Sequence, residues 1–165
     1  MATATIETAQ KQLRHFIGGE WVDSAGGATF EDREPYSGQL FATVAAATRD
    51  DARRAVDAAA EAFPEWAKTP PAKRQQIFLK AADILESRRD EMIDLVAREV
   101  GAAFGIGMFQ MIFVPGLFRQ AAGLAYSPIG TIIPSDNPGT FAMGIRRPVG
   151  VVGAIAPWNV PLILS

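Results

Sequence analysis

Three features of the sequence predict an α/β fold. Short apolar runs pivot on Gly18-Gly19 and on Pro35–Gly38, segments between residues 50 and 125 carry helical periodicity, and Val149–Ala156 is a near-continuous apolar run. The expected architecture is a small antiparallel unit, then helices, then one strand of a parallel sheet left without its neighbours.

In LRHFIGGEWV, residues 13–22, two apolar runs flank Gly18-Gly19, which predicts a hairpin with a glycine turn. A second strand pair, Thr29–Glu34 and Leu40–Ala46, flanks PYSG, where proline and glycine supply turn dihedrals. At Thr48 the period changes. Thr48 and Asp51 form a capping-box-like start, and a helix over about Asp50–Phe63 follows, ended or bent by Pro64. Thr69-Pro70-Pro71 opens another helix, with Ile77, Phe78, Ala81, Ile84 and Leu85 at helical spacing. A third helix, about Asp90–Val100, presents Met92, Ile93, Val96 and Val100 on one side and stops at Gly101, a residue type that tolerates a left-handed cap. Phe104–Ala125 is expected as a buried helix, kinked or split at Pro115. Ile129–Pro134 and Phe141–Arg147 read as strands separated by the turn-prone SDNPG. Arg146 and Arg147 alternate across a strand, so they point to opposite faces and read as surface charges rather than a joint anion clamp.

Composition narrows the function classes. Sixteen Lys plus Arg against 18 Asp plus Glu give a net charge of -2, so no electrostatic field invites nucleic acid or an anionic membrane. With no cysteine and one histidine, disulfides, thiolate metal sites and a cysteine nucleophile are excluded from these 165 residues, and no metal site is expected. The opening MATATIETAQKQ lacks a signal-like apolar core and is read as a loose tail on a cytoplasmic protein. Val100–Phe118 is uncharged over 19 residues, near the length of a membrane span, with Gly101 and Gly105 in GxxxG spacing. Gln110, Pro115-Gly116 and four glycines interrupt it, which favours a helix buried in protein over one in lipid.

The carboxyl end carries the most information. Val149–Ala156, with Gly150 and Gly153, reads as a strand covered on both faces. Only Pro157–Ser165 follow, too few for a crossover helix and a second parallel strand, and no charged residue follows Arg147. On that ground the chain is expected to be truncated. GVVG is not GxGxxG, so its glycines are assigned close backbone packing and no phosphate role.

RPVGVVGAIAPWNVP, residues 147–161, resembles the first nucleotide-domain strand and the PWN turn of the aldehyde dehydrogenase superfamily. FIGGEWV, PYSG, the alanine-rich helix ending in FPEW, and RQQIFLKAADILESRRDEMIDLVAREVG are similar to its amino-terminal half, so the resemblance spans about residues 13–165. It implies an incomplete aldehyde-dehydrogenase-like α/β fold, ending in the first strand of a Rossmann-like cofactor domain. The expected divisions are a flexible tail over 1–12, the amino-terminal part of the cofactor-binding domain over 13–128, a bridging and oligomerisation hairpin over 129–147, and the Rossmann-like strand with its PWN turn over 148–165.

Members of that family oxidise aldehydes through a cysteine thiolate adduct and a nicotinamide cofactor. The resemblance implies that Asn159 is the oxyanion donor, an amide that donates without titrating. Taken without the resemblance, Asn159 reads as a turn or helix-cap residue between Pro157 and Pro161. The resemblance likewise implies that Ile155, Ala156, Pro157 and Trp158 lie along bound NAD or NADP, a position at the carboxyl end of a strand where open α/β sheets bind ligands; the residue type alone makes Trp158 a core aromatic. The family's cysteine nucleophile, glutamate base, cofactor lysine and later glycine-rich turn have no counterpart here, so the chain is expected to be inactive alone.

EVGAAFGIGMFQMIFVPGLFRQAAG resembles members that act on benzaldehyde, salicylaldehyde or vanillin. Phe109 and Phe113 are candidates for an apolar substrate tunnel, against ordinary core packing at helical spacing. The expected function is that of an amino-terminal fragment of an NAD(P)-dependent aldehyde dehydrogenase for aromatic aldehydes, with a small aldehyde substrate and a homo-oligomeric complete enzyme. The alternative is a non-catalytic interaction module that associates with full-length homologous subunits.

Overall fold

The computed structural model describes residues 11–164. β2 (His15–Ile17) and β3 (Glu20–Val22) pair antiparallel, as the glycine turn predicts. Gly18 and Gly19 take φ of 63° and 87°, and positive φ at both central residues matches the turn to the right-handed strand twist. Phe16 and Trp21 face each other across this hairpin, their ring centroids 5.0 Å apart.

β4 (Thr29–Arg33) and β5 (Leu40–Ala45) pair antiparallel around the PYSG turn, where Gly38 N–H donates to Glu34 O at 2.8 Å. β1 (Lys11–Leu13) joins β5 on its other side in parallel, giving the order β1-β5-β4. Lys11 and Gln12 therefore belong to a sheet, whereas the sequence predicts a tail over 1–12; residues 1–10 lie outside the described residues. Polar side chains gave no alternating pattern to read, because this edge strand is held by its backbone.

α1 (Arg49–Lys68) starts at the predicted capping box. Thr48 Oγ1 accepts from Asp51 N–H, and Asp51 in turn accepts from Thr48 N–H at 2.8 Å. Asp51 also accepts from Ala25 N–H at 3.0 Å and sits 3.4 Å from Ser24 Oγ, so one buried carboxylate ties the loop before β4 to the start of the helix. The helix runs on through Pro64 to Lys68 rather than ending there, since a proline removes one backbone bond and the remaining turns hold.

The Thr48 backbone N–H is the main cause that holds the Asp51 carboxyl down at about 2. A depressed folded-state value means stability present above the ordinary carboxylate range and lost as pH falls toward the folded value. The unfolding midpoint is accordingly expected to fall between about pH 4 and pH 2, and Asp51→Asn is expected to flatten that fall. Thermal unfolding followed by circular dichroism across this range checks it; an unchanged slope in the variant would count against the assignment.

α2 (Pro71–Ser87), α3 (Arg89–Val100) and α4 (Phe104–Leu124) form the helical layer. α3 closes on Gly101 in the left-handed region at φ 69°, as expected. α4 is one helix of 21 residues, neither split at Pro115 nor buried all round. Its inner stripe, Gly107, Gln110, Met111, Val114, Pro115 and Ala122, is buried at helical spacing against α2 and α3, while Phe109, Ile112, Phe113 and Leu117 are exposed. Packing on this stripe keeps the helix continuous despite the missing proline N–H. Among the described residues no helix is long and apolar enough to cross a membrane. Arg119 on α4 bridges to Glu86 at 2.6 Å and Asp83 at 3.0 Å on α2; its side-chain hydrogen bond lowers the pKa of Glu86, at an exposed position where such pairs add little stability.

β6 (Gly130–Ile133) and β7 (Ala142–Ile145) pair antiparallel in a separate two-stranded sheet, which matches the hairpin predicted within 129–147. Arg146 donates its backbone N–H to Ile129 O at 2.6 Å, and both Arg146 and Arg147 are exposed. Val149–Ala156, expected as a strand, lies in neither strand nor helix. A parallel strand is defined by its neighbours, and none of the described residues pairs with it. The α/β class itself is as predicted.

Candidate active-site segment

The chain ends in a short helix, α5 (Pro161–Leu164), whose first turn closes on the Val160 carbonyl through Ile163 N–H at 3.2 Å and Leu164 N–H at 3.4 Å. Trp158 and Asn159 form the turn that delivers the backbone to it. Pro161 suits the first helical position, because it has no N–H to satisfy and its φ is already fixed.

Two kinds of contact seat α5. Leu162 and Ile163 line a groove of about 260 Å³ with Phe78 of α2 and Val114, Leu117, Phe118 and Ala121 of α4. Leu162 N–H donates to Gln110 Oε1 at 3.0 Å, reaching a side chain that is fully buried in α4. In the sequence Gln110 stands out only as an interruption of an apolar run. The informative signal was its register: it shares the face of Gly107, Met111 and Val114, where an amide is retained only with a hydrogen-bond partner.

Ile155, Ala156, Pro157, Trp158 and Asn159 are all exposed and consecutive, with Ile155 fully accessible. Trp158 is thus not a core aromatic here. The Asn159 amide has no hydrogen-bond partner among the described residues, and it does not cap α5, whose first turn closes on the carbonyl of Val160. Residues 148–159 donate and accept no hydrogen bond among the described residues, so their N–H and C=O groups are free. Since no ionisable side chain follows Arg147, this segment can donate, accept and pack, but it does not exchange protons at neutral pH.

Phe109 and Phe113 stand one turn apart on the outer face of α4, with ring centroids 4.7 Å apart and each about half exposed. They are paired with each other rather than sunk in the core. Among the described residues no group of three or more His, Cys, Asp or Glu is placed to hold a metal ion.

The aldehyde dehydrogenase family model matches residues 21–165. A vanillin dehydrogenase from Pseudomonas fluorescens is 46% identical over 149 residues, which cover 90% of this chain and 31% of that protein. The crystal structure of a salicylaldehyde dehydrogenase from Pseudomonas putida, complexed with salicylaldehyde, superposes with a TM-score of 0.86 at 35% identity, covering 94% of this chain and 34% of its own. A betaine aldehyde dehydrogenase from Staphylococcus aureus, in complex with NAD+, superposes with a TM-score of 0.88 at 33% identity, covering 92% and 30% of the two chains. The chain thus spans about a third of the length of the relatives it matches.

Proposed function

Because this chain belongs to the aldehyde dehydrogenase family, we propose that it supplies the oxyanion donor and the nicotinamide-facing turn of an enzyme that oxidises aromatic aldehydes to carboxylic acids. The observation that carries the reading is Asn159: an exposed amide, engaged by nothing else among the described residues, on a turn leading into a helix anchored to the buried Gln110 of α4.

With no cysteine in the 165 residues, the attacking thiolate comes from polypeptide outside them. As sulfur adds to the aldehyde carbon, the carbonyl oxygen gains negative charge. The Asn159 Nδ2–H₂ donates to that oxygen, and because the charge is largest near the tetrahedral species, the bond strengthens as the barrier is climbed. An amide keeps its donors at every working pH, which a histidine or an acid does not.

The free backbone groups and uncharged, exposed side chains of Ile155, Ala156, Pro157 and Trp158 fit a dinucleotide, which takes backbone hydrogen bonds and apolar cover along its length. When bound, NAD or NADP supplies the hydride acceptor. Phe109 and Phe113, their rings tilted by 51° to each other, offer an apolar aromatic pair suited to edge or face contact with an aromatic ring, in keeping with the vanillin and salicylaldehyde enzymes the chain is similar to. Among the described residues the β6–β7 hairpin leaves both edges unpaired, and it exposes Ile132 and Met143, which supports assembly into a homo-oligomer. A cytoplasmic location accompanies this reading.

The test is aldehyde-dependent nicotinamide reduction by the polypeptide that carries these residues together with the nucleophile, with NAD and NADP each supplied. Benzaldehyde-type substrates are expected to exceed short aliphatic aldehydes in kcat/KM by about 10-fold or more. The 165-residue chain alone is expected to show no turnover. Absence of aldehyde-dependent reduction in the longer polypeptide would remove the proposal.

A further inference from the structure

We infer that Gln110 is a positioning residue for Asn159, acting as a helix cap supplied from 52 residues away, an inference that rests on the reading of Asn159 as oxyanion donor. The first turn of α5 has one backbone donor that its own sequence does not satisfy. Pro161 has none, and the N–H groups of Ile163 and Leu164 reach the Val160 carbonyl, which leaves Leu162. An Asp or Ser at the cap would accept this N–H, but Val160 stands there with an apolar side chain. Gln110 Oε1 takes that part at 3.0 Å.

Its amide orientation follows from the partner, since only the oxygen can face an N–H. Gln110 Nε2 is left buried without a partner among the described residues. An apolar side chain at this position would avoid that orphan and still fill the space. What it would not supply is direction: the contacts of Leu162 and Ile163 with Phe78, Val114 and Leu117 are non-directional and permit sliding, whereas one hydrogen bond fixes register. From Leu162 to Asn159 the path runs through Pro161, whose φ is fixed, and through a closed turn. A displacement at Leu162 is therefore passed to the Asn159 amide instead of being absorbed.

Four variants test this in the dehydrogenase polypeptide that carries these residues: Gln110→Met, which keeps volume and loses the acceptor; Gln110→Glu, which keeps an acceptor oxygen; Asn159→Ala; and Asn159→Ala combined with Gln110→Met. Gln110→Met is expected to lower kcat by about 10- to 100-fold, the scale of a small misplacement of a reacting group, with nicotinamide affinity retained. Gln110→Glu is expected to recover most of that loss. In the Asn159→Ala background Gln110→Met is expected to have no further effect on kcat, because nothing is left to position.

An equal factor in both backgrounds makes Gln110 merely structural and overturns the inference, as does an unchanged kcat in Gln110→Met while Asn159→Ala is impaired. An Asn159→Ala variant with full kcat overturns the parent reading and this one with it. In the 165-residue chain, hydrogen exchange of the Leu162 amide gives a readout free of activity: protection is expected to be lost in Gln110→Met and kept in Gln110→Glu. Equal protection in all three proteins contradicts the cap.

Discussion

Replacing Asn159 by alanine in the dehydrogenase polypeptide that carries these residues is expected to lower kcat by about 10²–10³-fold while leaving nicotinamide affinity and aldehyde KM nearly unchanged. The split follows from where the donor acts. A neutral aldehyde oxygen gains little from one more donor that water already supplies, whereas the developing alkoxide sits where no solvent reorganisation can replace it. Asn159→Asp is expected to be worse than Asn159→Ala, because it removes the donor and places a negative charge against the one that forms. The factor lost in Asn159→Ala is expected to hold steady across neutral pH, since an amide does not titrate. Steady-state kinetics at several pH values check all three statements. A loss confined to KM would make Asn159 a ground-state contact and nothing more.

The second large effect concerns the seat of α4. Ile93 on α3 is buried, and a Cβ built on Gly107 of α4 would stand 3.1 Å from Ile93 Cγ2 and 3.3 Å from Ile93 Cα. The two helices approach this closely because residue 107 has no side chain. Ile93→Ala is expected to destabilise by about 2–5 kcal/mol, a fall of roughly 4–20 °C in the unfolding midpoint, through lost burial and an incompletely closed cavity. Gly107→Ala gains up to about 1 kcal/mol of helix propensity but presses on the neighbouring helix. With Ile93 shortened, that pressure is partly relieved and the new methyl fills part of the gap. The pair is therefore expected to couple by about 0.5 kcal/mol or more, with Gly107→Ala less harmful in the Ile93→Ala background. Additive effects in thermal unfolding would contradict the close contact.

Local signals in the sequence carried over well where the cause was local. The Gly18-Gly19 hairpin, the Thr48–Asp51 box, the Pro71 start and the Gly101 stop are each set by residues within one turn of the event, and each is where the pattern put it. The misses depend on partners distant in sequence. β1 pairs with residues some thirty positions on, through backbone groups that leave no side-chain pattern. Pro64 reads as an end or a bend and Pro115 as a split or a kink; neither ends nor splits its helix, because neighbouring turns and, for Pro115, packing on α2 and α3 hold each continuous. Val149–Ala156 has the composition of a central strand and no neighbour to make it one.

The candidate site divides in the same way. Asn159 and Ile155–Trp158 stand as candidates through a motif, while Gln110 does not, because its contact with Leu162 exists only once α4 and α5 meet. A polar residue on the buried stripe of an apolar helix marked where to look, but only the fold identifies Leu162 as its partner.

The most direct measurement is single-turnover hydride transfer, followed as nicotinamide absorbance after mixing the cofactor-loaded dehydrogenase with an aromatic aldehyde, for the wild-type protein and Asn159→Ala. The transient is expected to slow by about 10²-fold or more in the variant, with its amplitude retained. An unchanged transient, with any loss confined to later turnover, would show that Asn159 does not stabilise the oxyanion.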